Sequence, residues 1–229
     1  MEALHPDYTF FHVHRFRGYV LAAHADALRD TFLKREGCRP VLGAGRGGLF
    51  RFTSPLGDAY LRVYKRGGAM RHFVEESYVL DNRPLAEFRI HTHLADAGFP
   101  VPKLLGVMWH KVGPIYRGAI ATCALEGQTL LEACAAGQPG VPDSASLAQC
   151  GALIRRLHDA GIEHADLNAS NLFLTPAGPY LLDFDRARQR IGPLPAPIRR
   201  ANLTRLHRSL RKNGVADAIY ASILRAYDR

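Results

Sequence analysis

Residues 164–171 read HADLNASN, which places His164, Asp166, Asn168 and Asn171 directly ahead of the apolar run LFLT. A second acidic cluster, LLDFD with Asp183 and Asp185, follows shortly after. The spacing H-x-D-x-x-x-x-N fits phosphoryl transfer, a reaction in which a protein chiefly positions the reactants and stabilises charge. Asp166 is the candidate to accept or orient the proton of an attacking hydroxyl, with His164 holding the loop backbone and Asn168 inside the same loop. Asn171 and Asp183 offer the hard oxygen atoms that magnesium prefers, with Asp183 expected at the end of a strand.

Upstream, GAGRGG at 43–48 satisfies G-x-G-x-x-G through Gly43, Gly45 and Gly48, with Gly47 beside them. In a dinucleotide fold such a run follows a strand and opens a helix, whereas here it leads into the β-prone GLFRFT. That context suits a glycine-rich loop over ATP phosphates, where missing Cβ atoms let backbone N–H groups approach anionic oxygens. The next strand, AYLRVYK, supplies two cations, Arg62 and Lys65, which alternation places on opposite faces. Glu87, in PLAEFRIHTHL, is the helix carboxylate available to pair with one of them.

These residues need elements to hold them. Leu49–Thr53 and Ala59–Lys65 read as a hairpin joined by SPLGD. A helix is predicted from Pro84 to a capping Gly98, then strands over Lys103–Trp109 and Ile115–Cys123. After Glu126-Gly127 the chain turns helical, most clearly over Ser144–Ala160, where Leu147, Cys150, Leu153, Ile154 and Leu157 form one stripe. Short strands at Leu172–Leu174 and Tyr180–Asp183 bracket the turn TPAGP. Two amphipathic helices from Pro197 onward are separated near Asn213-Gly214. The predicted fold is α+β and two-lobed: residues 1–125 form an antiparallel sheet with one helix, and residues 126–229 form a compact, mainly helical lobe with the catalytic loop.

With 229 residues, 47% hydrophobic and 22% charged, the chain is expected to fold rather than remain disordered. No apolar run is long enough to span a bilayer, and MEALHPDYTFFHVHRF has no signal-peptide pattern, so a cytoplasmic location is expected. Cys38, Cys123, Cys134 and Cys150 lack metal or disulfide spacing and are expected to be reduced and mostly buried. His91, His93 and His158 read as structural, since no zinc motif accompanies them. The net charge of +9 points to an anionic partner. Scattered Arg and Lys, without a zinc finger or RNP-type pattern, argue against nucleic acid.

The segments GRGGLFRF, YLRVYKRGG, AEFRIHTHLADAGFPVPKLLG, IRRLHDAGIEHADLNASNLFL, LLDFDRAR and NLTRLHRSLRK resemble the Kdo kinases (3-deoxy-D-manno-octulosonic acid kinases) of lipopolysaccharide assembly. The resemblance spans residues 43–212 and implies a protein-kinase-like fold. It also implies transfer of the ATP γ-phosphate, with Mg²⁺, to the 4-hydroxyl of Kdo in Kdo-lipid A. In that reading Asp166 is the base, Asn171 and Asp183 are the magnesium ligands, and Arg62 or Lys65 is the phosphate clamp with Glu87 as its partner. The family alignment favours Arg62. Where a protein kinase has glycine after Asp-Phe, this chain has Asp185, which joins either the metal site or Arg186. The stretch beyond Asp185 is too short for a protein kinase's activation segment and peptide-docking helices, which disfavours a protein substrate. Lys65, Arg66, Arg71, Arg188 and Arg190 are the cations expected to hold the enzyme peripherally on the anionic cytoplasmic face of the bacterial inner membrane. The rival readings are a kinase of a soluble metabolite or antibiotic, similar to choline or aminoglycoside phosphotransferases, and a non-catalytic basic binding module.

Overall fold

The computed structural model describes residues 4–41, 48–64, 82–113, 115–135 and 142–229. Its first elements are ones that the sequence reading left unassigned. Strands β1 (Tyr8–Val13) and β2 (Phe16–Leu21) form a hairpin, and helix α1 (Ala25–Lys34) follows. The hairpin turns through His14 and Arg15, with Val13 opposite Phe16 and His14 at φ +52°. Two-residue turns of this kind usually announce themselves by Asn-Gly or Asp-Gly, and His-Arg carries no such signal.

After the short β3 (Arg39–Pro40), β4 (Gly48–Ser54) and β5 (Gly57–Val63) make the expected hairpin with a tighter turn, Ser54 opposite Gly57. The Ser54 hydroxyl accepts from Leu56 N–H and donates to the Gly57 carbonyl, and Gly57 takes φ +100°, which only glycine adopts without strain. Helix α2 (Arg83–Asp96) begins one residue before the predicted start because Asn82 caps it, its side-chain oxygen accepting from Leu85 N–H at 3.3 Å. The helix stops as expected at Gly98, φ +69°, with Phe99 N–H bonded to Leu94 O at 2.9 Å.

Strands β6 (Leu104–Val112) and β7 (Ile115–Cys123) complete a seven-stranded antiparallel sheet of order β1-β2-β6-β7-β5-β4-β3. Its core joins Tyr8, Tyr19, Leu28, Phe32, Leu61, Phe88, Leu105 and Val107. Where β2 meets β6 the backbones approach so closely that a Cβ on Gly18 would lie 2.3 Å from Val107 O.

The chain divides into two compact units, Met1–His93 with Pro102–Ala124, and Leu94–Val101 with Leu125–Arg229. Arg156 ties Leu94–Val101 to the second unit: its guanidinium donates to Ala97 O at 2.7 Å and sits 4.2 Å from the centre of the Phe99 ring. The second unit contains β8 (Gln128–Thr129), α3 (Leu130–Ala133), α4 (Ser144–Asp159), β9 (Ile162–Glu163), β10 (Leu172–Thr175), β11 (Gly178–Leu181) and β12 (Arg188–Gln189). Helices α5 (Ala196–Lys212) and α6 (Asp217–Tyr227) end it. Every residue of the α4 stripe read from the sequence is buried. Gly151 lets α4 and α6 touch, since a Cβ there would meet Ile223 O at 2.2 Å.

Three expectations change. The sheet of the first unit carries α1 as well as α2. Asp183 lies outside a strand, because β11 ends at Leu181 and Asp183 takes a left-handed φ of +58°. Of the cysteines, all four free, Cys150 alone is fully buried, and the other three are half-buried. Among the described residues, no helix is long and apolar enough to cross a membrane.

Candidate active site

In the first unit Tyr60 and Arg62 alternate with the buried Ala59 and Leu61 on β5, and Tyr64, just past the strand's end, continues on the side of Arg62. Glu87, one turn into α2, meets them. One guanidinium nitrogen of Arg62 reaches both Glu87 carboxylate oxygens, at 2.5 and 2.6 Å, and the Tyr64 hydroxyl donates to the same carboxylate. Arg62 also lies 4.8 Å from the centre of the Tyr64 ring. Glu87 is 3% exposed, and a buried carboxylate demands such partners. Of the two candidate strand cations, Arg62 is the one seen paired with Glu87. Lys65, together with Gly43, Gly45 and Gly47 of the glycine run, lies outside the described residues, whereas Gly48 is the first residue of β4, opposite Val63.

In the second unit the HADLNASN loop is held chiefly by hydrogen bonds between its own side chains and the main chain. The Asn168 side-chain oxygen accepts from Ser170 N–H at 2.9 Å and Asn171 N–H at 3.1 Å, folding the loop on itself. Asn171 Nδ2 donates to Asp166 O at 2.8 Å, and Asn171 O accepts from Leu182 N–H at 2.9 Å. His164 is fully buried, and its Nε2 donates to Leu182 O at 2.9 Å. Both Asn171 and His164 are thus bonded to the residue just before Asp183. One Asp183 oxygen accepts from Asp185 N–H at 3.1 Å, so the main chain of Asp185 helps to orient that carboxylate. The Asp166 side chain faces solvent. The structure therefore brings His164, Asp166, Asn168, Asn171 and the Asp183 segment together, and separately Arg62 with Glu87.

Two residues of this arrangement escaped the sequence reading. Tyr64 shares Glu87 with Arg62, and its position two residues after Arg62 in a strand was the available signal. Asn202, on α5, accepts from His164 N–H at 3.1 Å and is fully buried. It lies on a stripe with Leu206 and Leu210 at i+4 and i+8, where an uncharged amide among leucines is out of place unless it is bonded.

The buried histidines titrate abnormally. His91, one turn beyond Glu87, donates from Nε2 to Pro102 O at 2.7 Å, and burial, aided by the Arg62 charge, pushes its pKa down to about 4. Burial also pushes His158 down to about 4. Both rings fold neutral, so their stabilisation is complete above the unfolded value of about 6.5 and is lost as pH falls from there toward 4. Each ring is expected to cost about 2 kcal/mol of stability between pH 7 and pH 5. Urea unfolding at the two pH values measures this, and His91→Gln should shrink the difference; equal stability at both would contradict the buried neutral rings.

A sheet cation paired with a helix glutamate, and an H-x-D-x-x-x-x-N loop bonded to the segment before Asp-Phe, are arrangements that protein-kinase-like phosphotransferases share, with arginine here where protein kinases use lysine. The chain belongs to the lipopolysaccharide kinase (Kdo/WaaP) family, whose sequence profile matches residues 35–227. It is 38% identical over 205 residues to a 3-deoxy-D-manno-octulosonic acid kinase of Xylella fastidiosa (strain M12), covering 84% of this chain and 80% of that protein. It is also 38% identical over 203 residues to the protein of that name from Xanthomonas axonopodis pv. citri (strain 306), covering 83% of this chain and 79% of the relative.

Proposed function

We propose that this protein transfers the γ-phosphoryl group of ATP to the 4-hydroxyl of Kdo in Kdo-lipid A, a step of lipopolysaccharide inner-core assembly. The observation that carries the reading is the HADLNASN loop, which joins Asp166, Asn171 and the Asp183 segment through bonds of 2.8–2.9 Å, in a chain of this family. Asp166 takes the proton of the acceptor hydroxyl as its oxygen attacks the γ-phosphorus. The bond from phosphorus to the bridging oxygen breaks, and ADP leaves with that electron pair. In this reading Arg62, held by Glu87 and Tyr64, neutralises phosphate charge.

The donor chemistry also fits magnesium. Asn171 commits its nitrogen to Asp166 O, which leaves its amide oxygen as the atom to offer a cation, and Asp183 adds a carboxylate, so both ligands would be hard oxygens. Bound there, the ion supplies charge neutralisation on the phosphates. The test is incubation of the purified protein with labelled ATP, Mg²⁺ and Kdo-lipid A. Label in the lipid supports the reading; label only in an aminoglycoside or choline acceptor replaces it with the metabolite-kinase alternative.

The acceptor is an anionic lipid, and the reading extends to peripheral binding at the cytoplasmic face of the inner membrane. Arg66 and Arg71 lie outside the described residues, but Arg188 and Arg190 are exposed and lie just before Ile191, which is fully exposed. The solvent side of α5 adds Arg200, Arg205, Arg208, Arg211 and Lys212, with no carboxylate on that helix. Near an anionic surface each cation contributes about 1 kcal/mol, screened by salt. Flotation with anionic vesicles is expected at low salt and should weaken for Ile191→Ser combined with Arg208→Glu. Flotation that ignores both salt and these substitutions would remove the membrane contact from these cations and Ile191.

A further inference from the structure

Beneath the catalytic loop lies a row of buried polar side chains that the proposed chemistry does not use. His158 on α4, Asn202 on α5 and His164 are each at most 1% exposed. Burying three polar side chains among leucines is costly unless their bonds serve the fold or the site. At one end His158 Nδ1 lies 2.9 Å from the hydroxyl of Tyr227, near the end of α6. At the other, Asn202 Oδ1 accepts the His164 main-chain N–H, and the His164 ring holds Leu182 O, next to Asp183. Between them His158 Nε2 and Asn202 Nδ2 are both buried and make no hydrogen bond. The polarity of the row follows from its ends. Asn202 presents its oxygen to a backbone donor, and a neutral His158 with its proton on Nδ1 donates to the Tyr227 hydroxyl.

We propose that Asn202 is a positioning residue for phosphoryl transfer: its carbonyl fixes the main chain at His164, and through the His164 ring and Leu182 it sets Asp166 and Asp183 in one register. A leucine of similar size would fill the space yet leave the His164 N–H without its acceptor. The loop would then be free to shift by a fraction of an ångström, and misplacement on the scale of 1 Å costs roughly a hundredfold in rate.

The inference rests on the proposed kinase activity for its kinetic arm alone; its second arm needs no substrate. In the first, Asn202→Leu is expected to lower kcat about 10- to 100-fold while KM for ATP stays within about threefold. Asn202→Asp, which can still accept from His164 N–H, should recover most of that loss. In the second, amide hydrogen exchange over residues 163–171 is expected to quicken in Asn202→Leu and to stay slow in Asn202→Asp. If Asn202→Leu does not fold, Asn202→Ser, too short to reach the His164 N–H, takes its place. Unchanged exchange in the leucine or serine variant overturns the proposal. So does equal impairment of the folded leucine and aspartate variants, or parental turnover in Asn202→Leu. A parent protein inactive on Kdo-lipid A, with exchange responding as expected, would overturn the substrate reading and leave the anchor in place.

Discussion

Asp166→Ala is expected to fold like the parent and to lose about 10²- to 10⁴-fold in turnover, the range for removing a positioned proton acceptor. The two halves of this expectation come from different atoms of one residue. The loop is secured through the Asp166 carbonyl, which receives Asn171 Nδ2, and through Asn168, while the Asp166 carboxylate faces solvent. Truncation beyond Cβ therefore leaves the securing bonds intact, and a surface change of this kind alters stability by no more than about 0.5 kcal/mol. KM for ATP should hold while kcat falls, the pattern of an interaction made only in the transition state. Melting temperature and steady-state kinetics on one preparation check both halves, and equal labelling of Kdo-lipid A by parent and variant would discredit the assigned base.

The second large effect falls in the other unit. Glu87→Ala removes a carboxylate that receives both the Arg62 guanidinium and the Tyr64 hydroxyl. Breaking a buried pair leaves an uncompensated charge and costs about 3–5 kcal/mol; Arg62 is one-quarter exposed, so the lower end applies. Phosphate clamping should fail along with stability, raising KM for ATP. The double variant Arg62→Ala with Glu87→Ala separates the two consequences. Removing both charges should restore part of the stability, because the guanidinium is no longer left beside an empty carboxylate position, and should not restore turnover. A Glu87→Ala protein that melts and turns over like the parent would show that the ion pair is incidental.

How much of this was legible in the sequence depended on how local the cause was. The β4–β5 turn, the start and stop of α2 and the stripe of α4 are written in neighbouring residues, and they form within a residue or two of where they were read. The HADLNASN loop was legible because its fold is also local, Asn168 bonding to residues two and three positions on. What escaped depends on partners distant in the chain. Asn202 matters only because α5 carries it to His164, 38 positions away. The β1–β2 hairpin was missed because His14 and Arg15 make a tight turn without the residues that normally mark one. The left-handed backbone of Asp183 was missed for a similar reason, since its neighbours alone suggest that the strand continues.

The early segment of the chain has a further consequence. The family profile begins at residue 35, after β1, β2 and α1, yet those elements bring Tyr8, Phe11, Tyr19, Val20, Leu28 and Phe32 into the core. They also cover one side of β6, where Arg17, Gly18, Tyr19 and Val20 pair with Trp109, Met108, Val107 and Gly106. A protein trimmed to the shared region would display that apolar strand with its amides unsatisfied, a template for stacking against its own kind. Insolubility, rather than a smaller working enzyme, is the outcome to expect from such trimming.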